Sequence, residues 1–298
     1  MLYVRPDFYD DFSCLAGACR HSCCVGWEID VDEETLALYE GLEGALGDEL
    51  RSRIEREPAP HFRLTEEERC PFLRGDGLCR LILELGEGAL CDICALHPRF
   101  FNEYPGRQEA GLGLCCEEAA RLLTEGTGHL RLIAESDGEK ETAPGELLEL
   151  RARIFALLAR DGLALSERMA RALGLLDRPL VPFEAAEAAG FFLTLERMDA
   201  AWTALLGRLA AAPPPARPDS LRDARIAEYL VYRHFAAAAD REQAALRLQF
   251  CFYCARLVRA LESFSPEALR LFSAEIEYSD ENVERVCAWL GEKLSTSC

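Results

Sequence analysis

Lysine is almost missing from this chain: among 298 residues it occurs only as Lys140 and Lys293, against 52 acidic residues, and the net charge is −19. A phosphate-binding surface needs clustered Lys and Arg, so this balance argues against nucleic-acid binding and leaves room for a basic partner or a cationic small molecule. No stretch approaches the roughly 18 uninterrupted apolar residues of a membrane-spanning helix. The opening Met1-Leu-Tyr-Val-Arg-Pro-Asp-Phe-Tyr shows neither a basic region leading into an apolar one nor a small-residue cleavage site. The expectation is a protein of the reducing cytoplasm. Two cofactor signatures are missing as well. Gly111-Leu-Gly113 is too short for a dinucleotide-type Gly-x-Gly-x-x-Gly turn, and Gly26 stands where a Cys-x3-Cys-x2-Cys run would need its third thiol.

Cysteine is what the chain has in excess, and it is unevenly placed. Ten of fourteen fall in the first 116 residues: Cys14, Cys19, Cys23, Cys24, Cys70, Cys79, Cys91, Cys94, Cys115 and Cys116. A chain of this length can bury a core without disulfides, and a reducing compartment disfavours them, so metal binding or redox work becomes the better explanation for the thiols.

Residues 1–134 read as a compact, loop-rich module. Turn formers such as Gly75-Asp76-Gly77 and Gly86-Glu87-Gly88 interrupt its apolar periodicity. Short helices are expected after Asp32, where Glu33 and Glu34 suit a helix N-terminus, and after Cys115. The polar stretch 135–145 is read as the boundary. Residues 146–298 then read as an all-helical domain. Glu146 to Ala159 carries Leu147, Leu150, Ile154, Leu157 and Leu158 at helical spacing, and Glu184 to Leu209 continues around Phe191, Leu195, Met198, Trp202 and Leu205. Ser220 with Asp223 signals a helix start, Gln243 to Leu261 is apolar on most sides and reads as the buried central helix, and further starts fall at Ser265-Pro266-Glu267 and Asp280. No alternation is long enough to predict a major sheet. The fold class is mainly α, with a metal-binding module packed on a helical domain.

Eight cysteines form two groups: Cys14-x4-Cys19-x3-Cys23-Cys24, and Cys70 with Cys79 followed by Cys91-x2-Cys94. The last spacing lets two sulfurs of one turn grip one centre, with His97 three residues on. Soft thiolates select zinc, copper(I) or iron-sulfur clusters. Irregular spacing with adjacent cysteines departs from the paired knuckles of most zinc modules and fits a cluster somewhat better, and zinc stays open. Cys115, Cys116 and His97 are lesser candidates. Cys251-x2-Cys254 and Cys287 are expected to pack in the core as small hydrophobes, and Cys298 is a terminal thiol. Tyr229, Tyr232 and His234, clustered on one helix, are expected at a core edge or on the surface and not in catalysis.

The opening Tyr-x-x-Pro-x-Phe-Tyr, the run Cys14-x4-Cys19-x3-Cys23-Cys24-x-Gly-Trp, the segment from Cys70-Pro-Phe-Leu to Cys79, and Cys91-x2-Cys94-x2-His97-Pro98-Arg99 resemble the flagellin lysine-N-methylase family, within a broader group of iron- or zinc-chelating cysteine-rich proteins. The resemblance covers roughly residues 1–120. It implies methyl transfer from S-adenosylmethionine to flagellin lysines with the help of an iron-sulfur cluster of 4Fe-4S type, and it carries Cys14, Cys19, Cys23, Cys24, Cys70, Cys79, Cys91 and Cys94 over as metal ligands. An enzyme acting on lysine side chains would itself gain from having few, although a genome-wide composition bias explains the shortage more simply. The resemblance names no base. Glu28, Asp30 and Asp92 are nearest in sequence to the thiols and are the candidates for accepting the ammonium proton. A non-enzymatic zinc- or iron-binding adaptor and an electron-transfer protein are the competing expectations.

Overall fold

The structure is a computed structural model describing residues 1–138, 145–263 and 265–296. Lys140, Pro144 and Cys298, and with them much of the expected boundary at 135–145, lie outside the described residues. In chain order the first elements are β1 (Leu2–Pro6), α1 (Glu33–Gly41), α2 (Ala45–Arg53), the short strands β2 (Ile54–Glu55) and β3 (His61–Phe62), α3 (Arg80–Leu85) and α4 (Asp92–Leu96). They are followed by β4 (Arg99–Tyr104), β5 (Arg107–Leu112), α5 (Glu117–Glu125) and β6 (Leu132–Ser136). Helices then take over: α6 (Glu146–Leu158), α7 (Leu165–Gly174), α8 (Ala185–Phe192), α9 (Ala200–Ala211), α10 (Leu221–His234), α11 (Arg241–Leu261), α12 (Ala268–Phe272) and α13 (Asp280–Thr296). The chain is about 52% helical. No described helix is long and apolar enough to cross a membrane.

Two compact units divide the chain. One comprises residues 1–12, 101–115 and 119–298; the other comprises 13–100 with 116–118.

The larger unit is organised on α11, whose Leu248, Phe250, Cys251, Phe252, Cys254, Leu257 and Leu261 are fully buried. Burial on most sides is what an apolar pattern without a polar face demands. α10 begins with the signalled capping box: the Ser220 hydroxyl accepts from the Asp223 amide while the Asp223 carboxylate accepts from the Ser220 amide. The helical pattern read through Glu184 to Leu209 is split between α8 and α9 by a break at 193–199, where Met198 is 70% exposed. The reason is long-range. Glu275 accepts from the Met198 and Asp199 amides at 2.9 and 2.6 Å, and Asn282 donates to the Glu196 carbonyl at 3.1 Å, so the backbone groups of this turn are satisfied outside a helix.

A sheet also appears that the sequence pattern does not announce. Its order is β4-β5-β1-β6, with β1 parallel to β5 (Tyr3 opposite Gln108) and antiparallel to β6 (Tyr3 opposite Glu135). Helix α10 serves it: the Tyr232 hydroxyl lies 2.8 Å from the Ala110 carbonyl and 3.1 Å from that of Val4, and Tyr229 donates to the Leu112 carbonyl at 3.0 Å. Beneath the same face the buried Glu109 carboxylate is clamped by both guanidinium nitrogens of Arg151. Tyr229, Tyr232 and His234 are therefore structural, with His234 paired to Glu277 at 2.7 Å.

The smaller unit has one apolar cluster, built from Ile29, Val31, Tyr39, Leu50, Ile54, Phe62, Phe72 and Leu81 together with Cys70 and Cys91. Cys24, Cys79 and Cys94 pack against it.

Candidate metal centre

The smaller unit brings its thiols together by short local devices. Cys70 starts a tight turn in which the Leu73 amide donates to the Cys70 carbonyl at 3.0 Å and the Arg74 amide to that of Leu78 at 2.9 Å, bringing Cys79 alongside Leu73. Gly77 makes the turn possible with φ +77, and a Cβ there would stand 3.0 Å from the Cα of Gly17. The Cys70 amide donates to the Cys24 carbonyl at 2.8 Å, tying the first cysteine run to the second. Cys91 sits at the N-terminus of α4, and the Cys94 amide closes the first turn on the Cys91 carbonyl at 2.9 Å.

Asp32 fixes that turn from a distance. Its carboxylate accepts from the Thr35 amide, capping α1, and from the Asp92 amide at the start of α4, each at 2.9 Å. Burial alone would raise this carboxyl. The Asp92 and Thr35 amides and the Thr35 hydroxyl outweigh it and hold Asp32 below the usual carboxylate range.

At the centre lies Tyr39, fully buried, whose hydroxyl donates to the Ala89 carbonyl at 2.6 Å and lies 3.8 Å from the Cys91 sulfur. Cys79, Cys91 and Cys94 all lie within electrostatic reach of the phenol. Cys91 is held below its ordinary thiol value because Cys94 hydrogen-bonds it, and Cys94, which keeps the shared proton, is raised. The same sharing occurs between Cys23 and Cys24. Cys24 falls to about 6, with the Cys23 bond the largest cause and Ser22 and Arg69 assisting, while Cys23 rises. Burial pushes Cys70 up to about 12.

Of the sequence-predicted candidates, then, Cys24, Cys70, Cys79, Cys91 and Cys94 form an inner set on the apolar cluster. Cys14 and Cys23 are exposed, Cys14 and Cys116 each lie within electrostatic reach of Cys23, and Cys19 points at Glu117, 3.9 Å away. Cys115 belongs to the larger unit, where it is buried and hydrogen-bonded to Tyr278. His97 is half-buried and burial lowers its imidazole. Cys251 and Cys254 are core residues, with the Cys251 thiol donating to the Leu230 carbonyl at 3.2 Å. None of the cysteines among the described residues is in a disulfide.

The donor set fits a soft metal centre in its chemistry, because thiolates crowded together repel one another until a cation joins them. Among the described residues, however, no three His, Cys, Asp or Glu side chains stand ready to grip a lone ion.

Glu28, Asp30 and Asp92 are exposed. The groups that sequence reasoning missed are in the larger unit: Glu228 is buried and therefore raised, it contacts the His129 imidazole at 2.6 Å, and it accepts from the Leu130 amide at 2.7 Å. Ninety-nine positions separate His129 from Glu228, and no local pattern joins them. Gly113 is likewise not a cofactor turn: a Cβ there would meet the Tyr278 hydroxyl at 2.0 Å, so the glycine is required by packing.

No protein-family model and no solved structure matches the chain. Curated proteins do. The chain resembles the lysine-N-methylases. It is 30% identical over 137 residues to the lysine-N-methylase of Salmonella choleraesuis, covering 41% of this chain and 32% of that protein, and the Salmonella typhimurium enzyme matches to the same extent. The flagellar biosynthetic protein FliU of Salmonella muenchen is 29% identical over 130 residues, which is 41% of this chain and 77% of FliU. The chain thus spans about a third of the length of the lysine-N-methylases it matches.

Proposed function

We propose that this chain is a protein-lysine N-methyltransferase that uses S-adenosylmethionine and carries an iron-sulfur cluster, with flagellin-type lysines as its substrate. The observation that supports the reading is the gathering of Cys79, Cys91 and Cys94 about the buried Tyr39, with Cys24 and Cys70 on the same apolar cluster, taken with the names of the relatives. Cys24, Cys70, Cys79, Cys91 and Cys94 are one more than the four thiolates a single cluster uses, so one of the five packs without ligating. If a second of the five also stays free, so that three thiolates ligate, the bound cluster would supply an iron with an open position able to orient an amine or carboxylate; four thiolates would close the shell and make the site structural.

The chain's own residues supply the dry, ordered surroundings. Tyr39, Phe62 and Phe72 share the apolar cluster in which Cys70 and Cys91 are buried, and Asp32 and the Cys70 turn order the backbone that carries the thiols. In methyl transfer the lysine nitrogen forms a bond to the methyl carbon as the carbon-sulfur bond of the donor breaks, which requires a neutral amine. Glu28, Asp30 and Asp92 face water, so a proton accepted there passes readily to solvent. The acidic surface, at −19 overall, favours the cationic donor and a basic segment alike.

The test is an anaerobic preparation incubated with S-adenosylmethionine and a lysine-bearing flagellin segment, with methylation read by mass spectrometry and iron, zinc and acid-labile sulfide measured on the same sample. Methyl-lysine with iron and sulfide is expected. A colourless zinc protein indifferent to the donor would replace this reading by that of an adaptor.

A further inference from the structure

The face of the sheet turned away from Glu109 carries a cleft in which the metal centre has no part. Along β1, Tyr3 and Arg5 alternate with the buried Val4 and Pro6, and along β5, Gln108 and Ala110 alternate with the buried Glu109 and Gly111. Register sets Tyr3 between Gln108 and Glu135. The turn after β1 adds Tyr9 and Asp10, and β4 adds Phe101, which completes a cleft of about 280 Å³ within the larger unit. Pockets for drug-sized ligands and cofactors run from about 300 to 1,000 Å³, so this one suits a small metabolite or one end of a larger molecule.

Arg5 is the fixed charge of the cleft. Its side chain is 18% exposed, and its Nε donates to Asp10 at 2.8 Å while its Nη2 donates to Glu135 at 2.7 Å. These two bonds hold the guanidinium between the turn and β6 and leave its Nη1 without a protein acceptor. Each carboxylate also keeps one oxygen without a protein donor, Asp10 Oδ1 and Glu135 Oε2. A simple cation entering here would be repelled by Arg5, and a simple anion by Asp10 and Glu135. Only a ligand that bears both signs uses all three positions. Beside them stand three aromatic rings, of which Tyr3 and Phe101 are each 43% exposed.

We propose that this cleft binds an α-amino acid as its zwitterion, with the carboxylate on Arg5, the ammonium on Asp10 and Glu135, and an apolar side chain against Tyr3, Tyr9 and Phe101. Two sources share that chemistry: a free amino acid, and the amino-acid end of S-adenosylmethionine, whose sulfonium is a cation that aromatic rings attract. The second source rests on the methyltransferase reading; the site itself does not.

The test is ligand-observed NMR on the full chain, purified without oxygen, with each proteinogenic amino acid and with S-adenosylmethionine, followed by titration of those that bind. Amino acids with apolar side chains, the donor, or both are expected to bind. For the tightest amino acid, the analogue amidated at the carboxylate and the α-hydroxy analogue lacking the ammonium should each bind about tenfold more weakly, because each lacks one charge-assisted contact. For the donor, methylthioadenosine, which has no amino-acid end, should compete poorly. Arg5→Gln and Asp10→Asn should weaken binding by about tenfold, and Phe101→Ala several-fold. Arg5→Gln also cuts a tie between β1 and β6, so if it fails to fold, Asp10→Asn and Phe101→Ala decide, since both side chains are open to water. Binding by free amino acids alone would identify that source, and binding by the donor alone the other. No binding by any of them, undiminished binding of either charge-lacking analogue, or affinities unchanged in Asp10→Asn and Phe101→Ala would overturn the proposal. Amino-acid binding in a protein that transfers no methyl group would remove the methyltransferase reading and leave this site standing.

Discussion

The Tyr39 hydroxyl donates to the Ala89 carbonyl while resting 3.8 Å from the Cys91 sulfur, so one buried phenol serves both the backbone and a thiol. Tyr39→Phe keeps the ring stacked on Phe62, 6.0 Å between centroids, and leaves a buried carbonyl without its donor. A loss of about 1–2 kcal/mol in denaturant unfolding is expected. Tyr39→Ala, which also opens a cavity, should cost about 3–5 kcal/mol. An unchanged stability in Tyr39→Phe would show that the hydroxyl contributes nothing.

Asp32 gives the smaller unit a pH dependence whose sign follows from its partners. Its folded-state pKa lies below the ordinary 3.8, so its contribution is fully present above that value and is lost as the pH falls through the folded value. Asp32→Asn keeps a capping oxygen and removes the charge. The wild type should exceed it in stability by about 1 kcal/mol at neutral pH, and the two thermal unfolding curves should converge in strong acid. A gap that widens on acidification would contradict the assignment.

Thiols of the two units should respond differently to removal. Cys251→Ala trims a core residue and should lower stability by about 1 kcal/mol with metal content unchanged. Cys91→Ser should abolish iron and labile sulfide. Metal analysis of both proteins, purified side by side without oxygen, checks this.

Gly113→Ala drives a methyl group into Tyr278, and the nearest ring carbons would be 2.9 and 3.1 Å away. A destabilisation of about 2 kcal/mol or more is expected. Adding Tyr278→Phe removes the oxygen at 2.0 Å and should recover part of it, so a double-mutant cycle should return a favourable coupling. Strictly additive losses would place the strain elsewhere.

The helical character was legible because its signals are local. The Ser220 and Asp223 box, the apolar run of α11 and the acidic start at Asp32 are each written within a few residues. The sheet was not, because β1 pairs with β6 across some 130 positions, Leu2 opposite Ser136, and β6 exposes most of its residues, so neither strand shows a long alternation. The break before α9 depended on Glu275 and Asn282, far along the chain. In the thiol region, composition picked out the cysteines only as candidates. It could not sort them, since adjacent residues have different surroundings: Cys115 is hydrogen-bonded to Tyr278 and Cys116 lies within electrostatic reach of Cys23, a choice made by tertiary packing.

Cys70 and Cys91 are interior members of the smaller unit's only apolar cluster among the described residues. Oxidants that reach them would damage the scaffold itself and not merely a reactive appendage. A cell exposed to peroxide would therefore be expected to lose this protein to proteolytic turnover, so that its abundance reports on the redox state in which it was made.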